Sequence, residues 1–367
     1  MTEQAVQPEA TTSDHTTHAA GRIPAWLVWM LIVGGVVLGW SNSFVHTWGR
    51  WFPAWKRTNL GLYDRIVEGE SYYTHGPLVP LVSLLIAALL IRHTRIRVNP
   101  SRKWGGLVIG TALLMHLAAS LARVSFASMF ALIGLIAGLV LFFWGREALK
   151  RLWFPIAFLC FMVPLPEVSI TQMNFRLKMF AAEIGTDLVS VVGVPVLRDG
   201  NVVSLPGPTS ESELKKLEVA NVCNGLRTLI SLTAFGALYA YVCRLRGVWR
   251  LLLFLLSVPV ALVANSLRIT SLILVAHVWS VPAATGLYHD LSGLAIFVLA
   301  FMLMFGIENL ILFLIGSFKT VEVRGLYDDV RRTDDDPPQL GRMLRATGRL
   351  GGLILTLVLL ASSAYAL

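Results

Sequence analysis

Cys223 lies among polar residues at the start of an apolar segment, in the stretch VANVCNGLRTL (219–229). A cysteine thiolate is a nucleophile, and the positive end of the dipole at a helix N-terminus favours the thiolate form. The alternative is a buried thiol that acts as a small hydrophobic side chain, the common role of a free cysteine. Cys160 and Cys243 are predicted at other depths in the membrane. Because a disulfide needs Cα atoms within roughly 7 Å, we expect three free thiols.

Arg268 lies inside the apolar run LLLFLLSVPVALVANSLRITSLILVAH, residues 251–277. A charge at mid-bilayer costs at least about 2.5 kcal/mol, so an arginine there needs a partner or a function. At about 1.5 Å per residue, Arg268 is about 26 Å from Leu251, near the far surface of a hydrocarbon core of about 30 Å. Asn265 precedes it by one turn on the same helix face. The alternative is an arginine whose side chain reaches lipid headgroups.

His289 lies in GLYHDLSG (286–293), directly before another apolar segment. The alternative role is that of a loop histidine, with Asp290 as the helix cap. However, Cys223, Arg268 and His289 belong to three consecutive apolar segments, and their alternating direction puts all three at one face of the membrane. An imidazole beside a thiol holds it as the reactive thiolate, and a guanidinium nearby stabilises an oxyanion. Nucleophilic catalysis is therefore the chemistry that this set of residues predicts.

The composition indicates the elements that must position these residues. The chain of 367 residues is 55% hydrophobic and 14% charged, which is too apolar for a soluble globule of this size. A helix needs roughly 17 to 25 apolar residues to cross a bilayer. The sequence therefore predicts an all-α polytopic membrane protein of about nine spans: Trp26–Thr47, Pro77–Ile91, Gly105–Leu121, Phe126–Trp144, Trp153–Pro166, Leu226–Cys243, Leu251–His277, Leu291–Gly316 and Leu350–Leu367.

The basic residues behind the net charge of +9 are distributed as expected for orientation in a membrane, and they do not indicate a nucleic-acid binding site. The loops that follow spans two, four, six and eight hold 18 of the 31 Lys and Arg residues. An excess of basic residues in alternate loops marks the cytoplasmic side of a membrane protein. We therefore expect a cytoplasmic N-terminus in a bacterial inner membrane, with Cys223, Arg268 and His289 facing the periplasm or exterior, and no nucleic-acid partner.

Four regions are predicted along the chain. Residues 1–25 form a disordered cytoplasmic tail, 26–316 the membrane domain, 317–349 a charged cytoplasmic linker and 350–367 a last transmembrane helix. Between spans five and six, apolar residues three and four apart predict an amphipathic helix at the outer face: Ile170, Met173, Leu177, Phe180, Ile184, Leu188 and Val191. The following PVLRDGNVVSL (195–205) predicts a hairpin around Asp199 and Gly200. No Cys or His cluster has metal-ligand spacing, so no metal or cofactor is expected.

Three of these stretches, NVCNGLR, ANSLRI and YHDLSG, resemble in their order and placement the Cys, Arg and His motifs of the exosortase/archaeosortase family. SYYTHGPLVPL (71–81) is similar to that family's Tyr-Ser-His-Gly stretch, and FPIAFLCFMVPLP (154–166) and GVPVLRDGN (193–201) also look like family segments. The resemblance covers roughly Trp48 to Gly316. In one departure, Asn224 stands where the family commonly has Ser, so this chain lacks that hydroxyl.

The resemblance implies a membrane-embedded cysteine protease or transpeptidase (EC 3.4.22-like) linked to exopolysaccharide production. Its substrates would be exported proteins that end in a PEP-CTERM-type sorting signal: a short Pro-Glu-Pro-like motif, a membrane helix and a basic tail. Carried over to this chain, Cys223 is the nucleophile that forms a thioester, His289 the general acid/base, and Arg268 the group that stabilises charge on the scissile carbonyl. The acyl group would pass to water or to an amine or glycan acceptor.

Further residues are candidates for substrate binding. Arg227 follows Cys223 by one turn and could bind the Glu of a sorting motif, or pair with Glu218 or Asp290. Tyr72, Tyr73 and His75 match a family stretch and are expected to face outward along the substrate path; the alternative is interfacial aromatic anchoring with a surface histidine. Asn265 belongs to the same predicted binding set.

Two other functions compete with the enzyme interpretation. A transporter or flippase for a lipid-linked glycan would use Arg268 as a contact for an anionic substrate, but would leave Cys223 without a role, and no inverted repeat supports it. A membrane acyltransferase would keep a histidine but normally places its chemistry differently.

Overall fold

The chain folds into α-helices and one small antiparallel sheet. The computed structural model describes residues 25–57, 59, 61, 71–93, 98–200, 202–206, 214–218 and 225–318. The helices are α1 (Ala25–Gly39), α2 (Ser41–Trp51), α3 (Leu78–His93), α4 (Arg102–Leu121), α5 (Ser125–Phe143), α6 (Arg146–Phe158), α7 (Glu167–Val191), α8 (Gly225–Val242), α9 (Val248–Val278), α10 (Val281–Thr285) and α11 (Leu287–Phe318). The strands are β1 (Leu197–Asp199), β2 (Val202–Pro206) and β3 (Leu214–Glu218).

Five of the described helices are long and apolar enough to cross a membrane, or up to six if the bent pair formed by 146–162 and α7 counts as one span. The five are α4, α5, α8, α9 and residues 291–316 of α11. Helix α3 is apolar but shorter. The mostly helical, multi-pass character of the chain is therefore confirmed, and the count of about nine spans is not. The predicted span 350–367, most of the linker 317–349 and nearly all of the tail 1–25 lie outside the described residues.

The first predicted span, 26–47, is not one helix. Helix α1 ends at Gly39 and α2 begins at Ser41, on either side of Trp40. The Ser41 hydroxyl donates a hydrogen bond to the Leu38 carbonyl at 2.8 Å. Such local side-chain bonds to the backbone compete with the helical ladder and favour an interruption. The chain also divides into two compact units, 1–41 and 42–367, and the description below concerns the second.

The fifth predicted span, 153–166, is half of a bent element. Helix α6 continues into a 3₁₀ turn at Leu159–Met162, and α7 then leaves at 82°. Pro164 and Pro166 lie between the two. Proline has no N–H to donate and disfavours helical geometry in the residue before it, so this pair ends one helix before the next begins.

Side chains from two distant segments satisfy the backbone groups that the bend exposes. Trp51 Nε1 donates to the Met162 carbonyl at 3.1 Å, and Arg50 Nη2 donates to the Leu165 carbonyl at 3.2 Å. The Leu165 N–H donates to the Tyr73 hydroxyl at 2.8 Å. A buried backbone group without a partner costs about 1 to 3 kcal/mol, so these bonds fix the corner from which α7 departs.

Helix α7 packs through a face that the spacing of large apolar residues did not predict. Its buried positions are mostly small: Ile170, Ala181, Ala182, Gly185, Thr186 and Val189. Within the predicted stripe, Phe180 is 44% and Val191 is 85% exposed. Small side chains let helix backbones approach closely, which is why this face meets α9. The amphipathic placement of α7 in a membrane interface stays a prediction.

The predicted hairpin is present and carries an additional strand. β1 and β2 pair antiparallel with Arg198 opposite Val203, and β3 extends the sheet beyond β2. Gly200 in the tight turn has φ of 62°, a conformation that glycine adopts without strain. Val203 and Leu205 of β2 are fully buried. They pack with α7 and the second half of α9, and we call this part of the molecule the cap.

At the other end of α9, a buried carboxylate joins α11 to the connection between α8 and α9. Glu308 is 3% exposed and accepts hydrogen bonds from the Tyr239 hydroxyl, from Arg244 N at 3.0 Å and from Arg244 Nε at 3.2 Å. A carboxylate in an apolar helix is costly unless it is paired. This set of bonds therefore stabilises the contact between the three helices that carry the candidate site.

Candidate functional site

Arg268 of α9 and His289 of α11 lie in direct contact. Arg268 is 8% exposed, although it is charged. Its Nη2 donates to the His289 carbonyl at 3.0 Å and lies 3.3 Å from each ring nitrogen of the same residue. Its Nε donates to Ser292 Oγ at 3.1 Å, and the Ser292 hydroxyl donates to the His289 carbonyl at 2.8 Å. The three side chains form one hydrogen-bonded unit between two helices.

The contact leaves open which ring nitrogen of His289 faces the guanidinium of Arg268. A guanidinium has only donors, so a ring nitrogen that bonds to it must be the unprotonated acceptor. Because Nη2 is equally far from both nitrogens, the contact does not select a tautomer. A neutral imidazole is the form that can remove a proton from a neighbouring group.

The start of α8 lies against α9 next to this unit. Gly225, the first residue of α8, faces Asn265: a Cβ built on Gly225 would be 2.8 Å from Asn265 Nδ2. Asn265 is 6% exposed, and its Oδ1 is buried without a hydrogen-bond partner among the described residues. Asn265 also precedes Arg268 by three positions on α9, a spacing that puts Cβ atoms roughly 5 to 6 Å apart.

Cys223 and Asn224 lie outside the described residues, as does the side chain of Asp290. Of the three predicted catalytic residues, the structure therefore brings Arg268 and His289 together and describes nothing of Cys223 itself. Arg227 is half-buried in the first turn of α8 and is engaged in further interactions.

The segment 71–77 has a different environment from the one predicted. Tyr73 is 2% and His75 is 4% exposed, so the alternative of a surface histidine is wrong. The role of Tyr72, Tyr73 and His75 in binding substrate stays a prediction. His75 Nδ1 is 3.1 Å from Ser231 Oγ of α8, and the Tyr72 hydroxyl accepts a hydrogen bond from Asn174 Nδ2 at 3.1 Å. These two contacts hold residues 71–77 against α7 and α8.

Burial controls the charge of His75. Removal of the ring from water lowers the pKa of His75 to about 4, and a hydrogen bond with the Phe161 backbone offsets part of this effect. The imidazole is therefore neutral at physiological pH, and it supports the start of α8 as a packed, hydrogen-bonded group.

Two serines at the site were not predicted from the sequence. Ser292 is three residues after His289, a spacing at which a helical hydroxyl reaches back to a carbonyl, so the motif YHDLSG contained a usable signal. Ser231 carried no such signal, because its partner His75 is 156 positions away in the chain. Among the described residues, no group of three or more His, Cys, Asp or Glu side chains could hold a metal ion.

The arrangement presents a guanidinium and a buried amide on α9 and an imidazole on α11. Arg268 Nη1 makes no hydrogen bond to a described residue, so two of its N–H donors remain for a ligand. Donors of this kind stabilise negative charge that develops on an oxygen, and the imidazole can accept and return a proton.

Comparison with known proteins gives a family match. A protein-family model described as transmembrane exosortase matches residues 66–306, a range that includes every predicted site residue. Neither the curated proteins nor the solved structures gave a match to the chain. The family match covers more than half of the 367 residues. The chain therefore belongs to the transmembrane exosortase family.

Proposed function

We propose that the protein is a cysteine protease or transpeptidase of the bacterial inner membrane. It cleaves the C-terminal sorting signal of exported proteins through a thioester on Cys223, at the membrane face opposite the cytoplasm. The observation that carries this proposal is the contact of Arg268 with His289. Asn265, three positions before Arg268 on α9, lies against Gly225 at the start of α8. Cys223 precedes Gly225 by two residues in the sequence, and the proposal places its thiol near the base and the cation.

The proposed reaction uses water or an acceptor as its only co-reactant. His289 takes the proton of the Cys223 thiol, and the sulfur attacks the scissile carbonyl carbon. The carbonyl π electrons move to the oxygen, whose negative charge is stabilised by Arg268. When the oxyanion collapses, the C–N bond breaks, the leaving amine takes the proton from His289, and the thioester remains.

The second half-reaction restores the enzyme. A water molecule, an amine or a glycan hydroxyl attacks the thioester carbon and gives its proton to His289. The C–S bond breaks, and the thiolate of Cys223 regains the proton. The proposed steps use no metal or cofactor.

Substrate recognition follows from the location of the site. A substrate that ends in a short motif, an apolar helix and a basic tail would approach through the bilayer. Its scissile bond would then stop at the membrane surface, where the proposed orientation places the site. Arg227 is the proposed contact for an acidic residue of the motif, because it lies in the first turn of α8 beside the site. The proposal includes a link to exopolysaccharide production.

The contacts of Arg268 favour an enzyme over a transporter. An arginine that carried an anion across the membrane would need its donors for the substrate. Here Nε and Nη2 bond to Ser292 and His289 within the protein. Such bonds suit a residue that positions a base and leaves Nη1 for one oxygen atom.

The test is a co-expressed exported reporter that ends in a Pro-Glu-Pro-like motif, an apolar helix and a basic tail. Cys223→Ala and His289→Ala should leave the reporter at full length on a gel, whereas Cys243→Ala should process it normally. Cys243 is the matched control because it is a buried thiol at the far end of α8. Processing by Cys223→Ala at the wild-type rate would exclude the thioester mechanism.

Orientation has a separate test. A membrane-impermeant maleimide added to whole cells should label Cys223 in preference to Cys243. Labelling of Cys243 alone would reverse the proposed topology while leaving the chemistry open to the first test.

A further inference from the structure

The sheet of the cap ends in a β-strand whose outer edge is open to pairing. The strand order is β1–β2–β3, so β1 and β3 are the edge strands. β1 has three residues and β3 has five. No backbone group of the described residues outside the sheet bonds to β3. An edge strand presents a row of N–H and C=O groups that can pair with another extended chain, and β3 is the longer of the two edges.

The pairing of β1 with β2 sets which backbone groups of β2 face β3. Only two residues separate Asp199 from Val202, its partner across the turn, so these two residues form a hydrogen-bonded pair. The backbone groups of successive residues in a strand point to opposite sides. Val203 and Leu205 therefore direct their N–H and C=O groups toward β3.

The same alternation continues on β3. The partners of Val203 and Leu205 are Leu217 and Lys215, whose backbone groups bond to β2. Pro206 of β2 has no N–H to donate, and it lies at a position that makes no bond to β3. The remaining β3 residues turn their N–H and C=O groups away from the sheet: Leu214, Lys216 and Glu218. Alternate residues of a strand are roughly 6.8 Å apart, so this edge matches one side of a further strand.

The sheet lies beside the helices that carry the base and the cation. The buried side chains of β2 pack in one cluster with Ile269, which follows Arg268 in the sequence, and with Tyr288, which precedes His289. β3 contacts α10, which ends four residues before His289. A peptide bound along β3 would therefore lie in the cap, close to α9 and α11.

We propose that the outer edge of β3 binds an extended, acidic segment of the substrate as a fourth strand of the sheet. The substrate is that of the proposed function, on which this assignment rests. Main-chain hydrogen bonds supply the affinity in this mode of peptide recognition. β3 has the sequence LKKLE, with two lysines and one glutamate, which favours a peptide that carries a carboxylate. A second copy is disfavoured, because symmetric antiparallel pairing about Lys216 would put two lysines opposite each other.

The experiment measures binding of a synthetic peptide with an acidic motif, an apolar helix and a basic tail to purified, full-length protein. All variants carry Cys223→Ala, so that the peptide is bound and not consumed. Lys216→Pro removes an outward-facing N–H and keeps the bonds of β3 to β2, and proline is tolerated at such edge positions. Lys216→Ala is the matched control, because it also loses the lysine charge but keeps the N–H.

Lys216→Pro should bind the peptide about tenfold more weakly than Lys216→Ala, with the same thermal midpoint, because one backbone hydrogen bond is lost. A second measurement methylates the backbone nitrogens of the peptide one at a time. Methylation should weaken binding at alternate residues only, since every second N–H of an added strand faces β3.

Equal binding by Lys216→Pro and Lys216→Ala would overturn the proposal, as would methylation effects without a period of two residues. If Lys216→Pro lowers the thermal midpoint, the methylation series decides, and its alternation supports the added strand. A lower oligomeric mass in Lys216→Pro with unchanged peptide binding would assign the edge to a second copy instead. Cleavage of the peptide by Cys223→Ala would overturn the proposed function separately, because the methylation series reports on β3 whichever residue cleaves the peptide.

Discussion

The buried imidazole of His75 makes the stability of the protein depend on pH in a defined direction. The ring is 4% exposed, its Nδ1 bonds to Ser231, and its Nε2 has no partner among the described residues. A proton added to the ring would therefore create a buried cation, and the Phe161 backbone offsets only part of the cost of its burial. The perturbation that isolates this effect is His75→Gln, which removes the titration and keeps a polar side chain.

The sign follows from the two pKa values. The pKa of His75 is about 4 in the folded chain and about 6.5 in the unfolded chain. Between these values the unfolded state binds the extra proton and the folded state does not, so the free energy of unfolding falls as the pH falls. From pH 7.5 to pH 5 the contribution of this one group is about 2 kcal/mol.

The assay is unfolding in mixed micelles, followed by tryptophan fluorescence at pH 7.5 and pH 5. Wild type should lose about 2 kcal/mol more than His75→Gln between the two pH values. His116→Gln is the control, since His116 bonds to Ser128 at 2.7 Å and is only half-buried. An equal pH dependence in wild type and His75→Gln would refute the claim that burial keeps the imidazole neutral.

Two further predictions concern hydrogen bonds at and near the site. Ser292→Ala removes the acceptor of Arg268 Nε and the donor to the His289 carbonyl; because a bond to a charged group is worth about 1.5 to 3 kcal/mol, we expect processing at least about tenfold slower, with the rate restored in Ser292→Thr. Tyr73→Phe leaves the Leu165 N–H without its acceptor, and should lower the free energy of unfolding by about 1 to 3 kcal/mol in the same micelle assay.

The sequence predicted the site best where the argument needed only depth along a helix. Counting residues from Leu251 put Arg268 near the end of a span, and alternation of the spans put His289 at the same face. The structure joins the two residues in a hydrogen bond. Their proximity could be predicted because rise per residue and span direction are properties of single helices, and their depth in a membrane stays a prediction. The catalytic roles of these residues remain proposals.

Sequence reasoning carried least where the outcome depended on a partner. Small residues of α7 pack on α9, and the large residues of its predicted stripe other than Ile170 stay at least partly exposed. Which face of a helix is buried follows from the neighbour it meets, and periodicity alone carries no information about that neighbour. The same applies to His75, whose surroundings come from Ser231 on a helix far along the chain. Only the proline pair 164 and 166 gave a local signal for the bend.

The position of Arg268 within α9 also changes the electrostatic argument. The helix continues for ten residues, or about 15 Å, to Val278, and the cap covers this stretch with α7 and β2. Arg268 is thus enclosed rather than placed at a helix end in contact with headgroups. Enclosure raises the cost of the charge, which Ser292 and His289 offset through their bonds. It also limits access of water, so in the proposed mechanism donors at the site would stabilise a developing oxyanion more strongly than they would at an open surface.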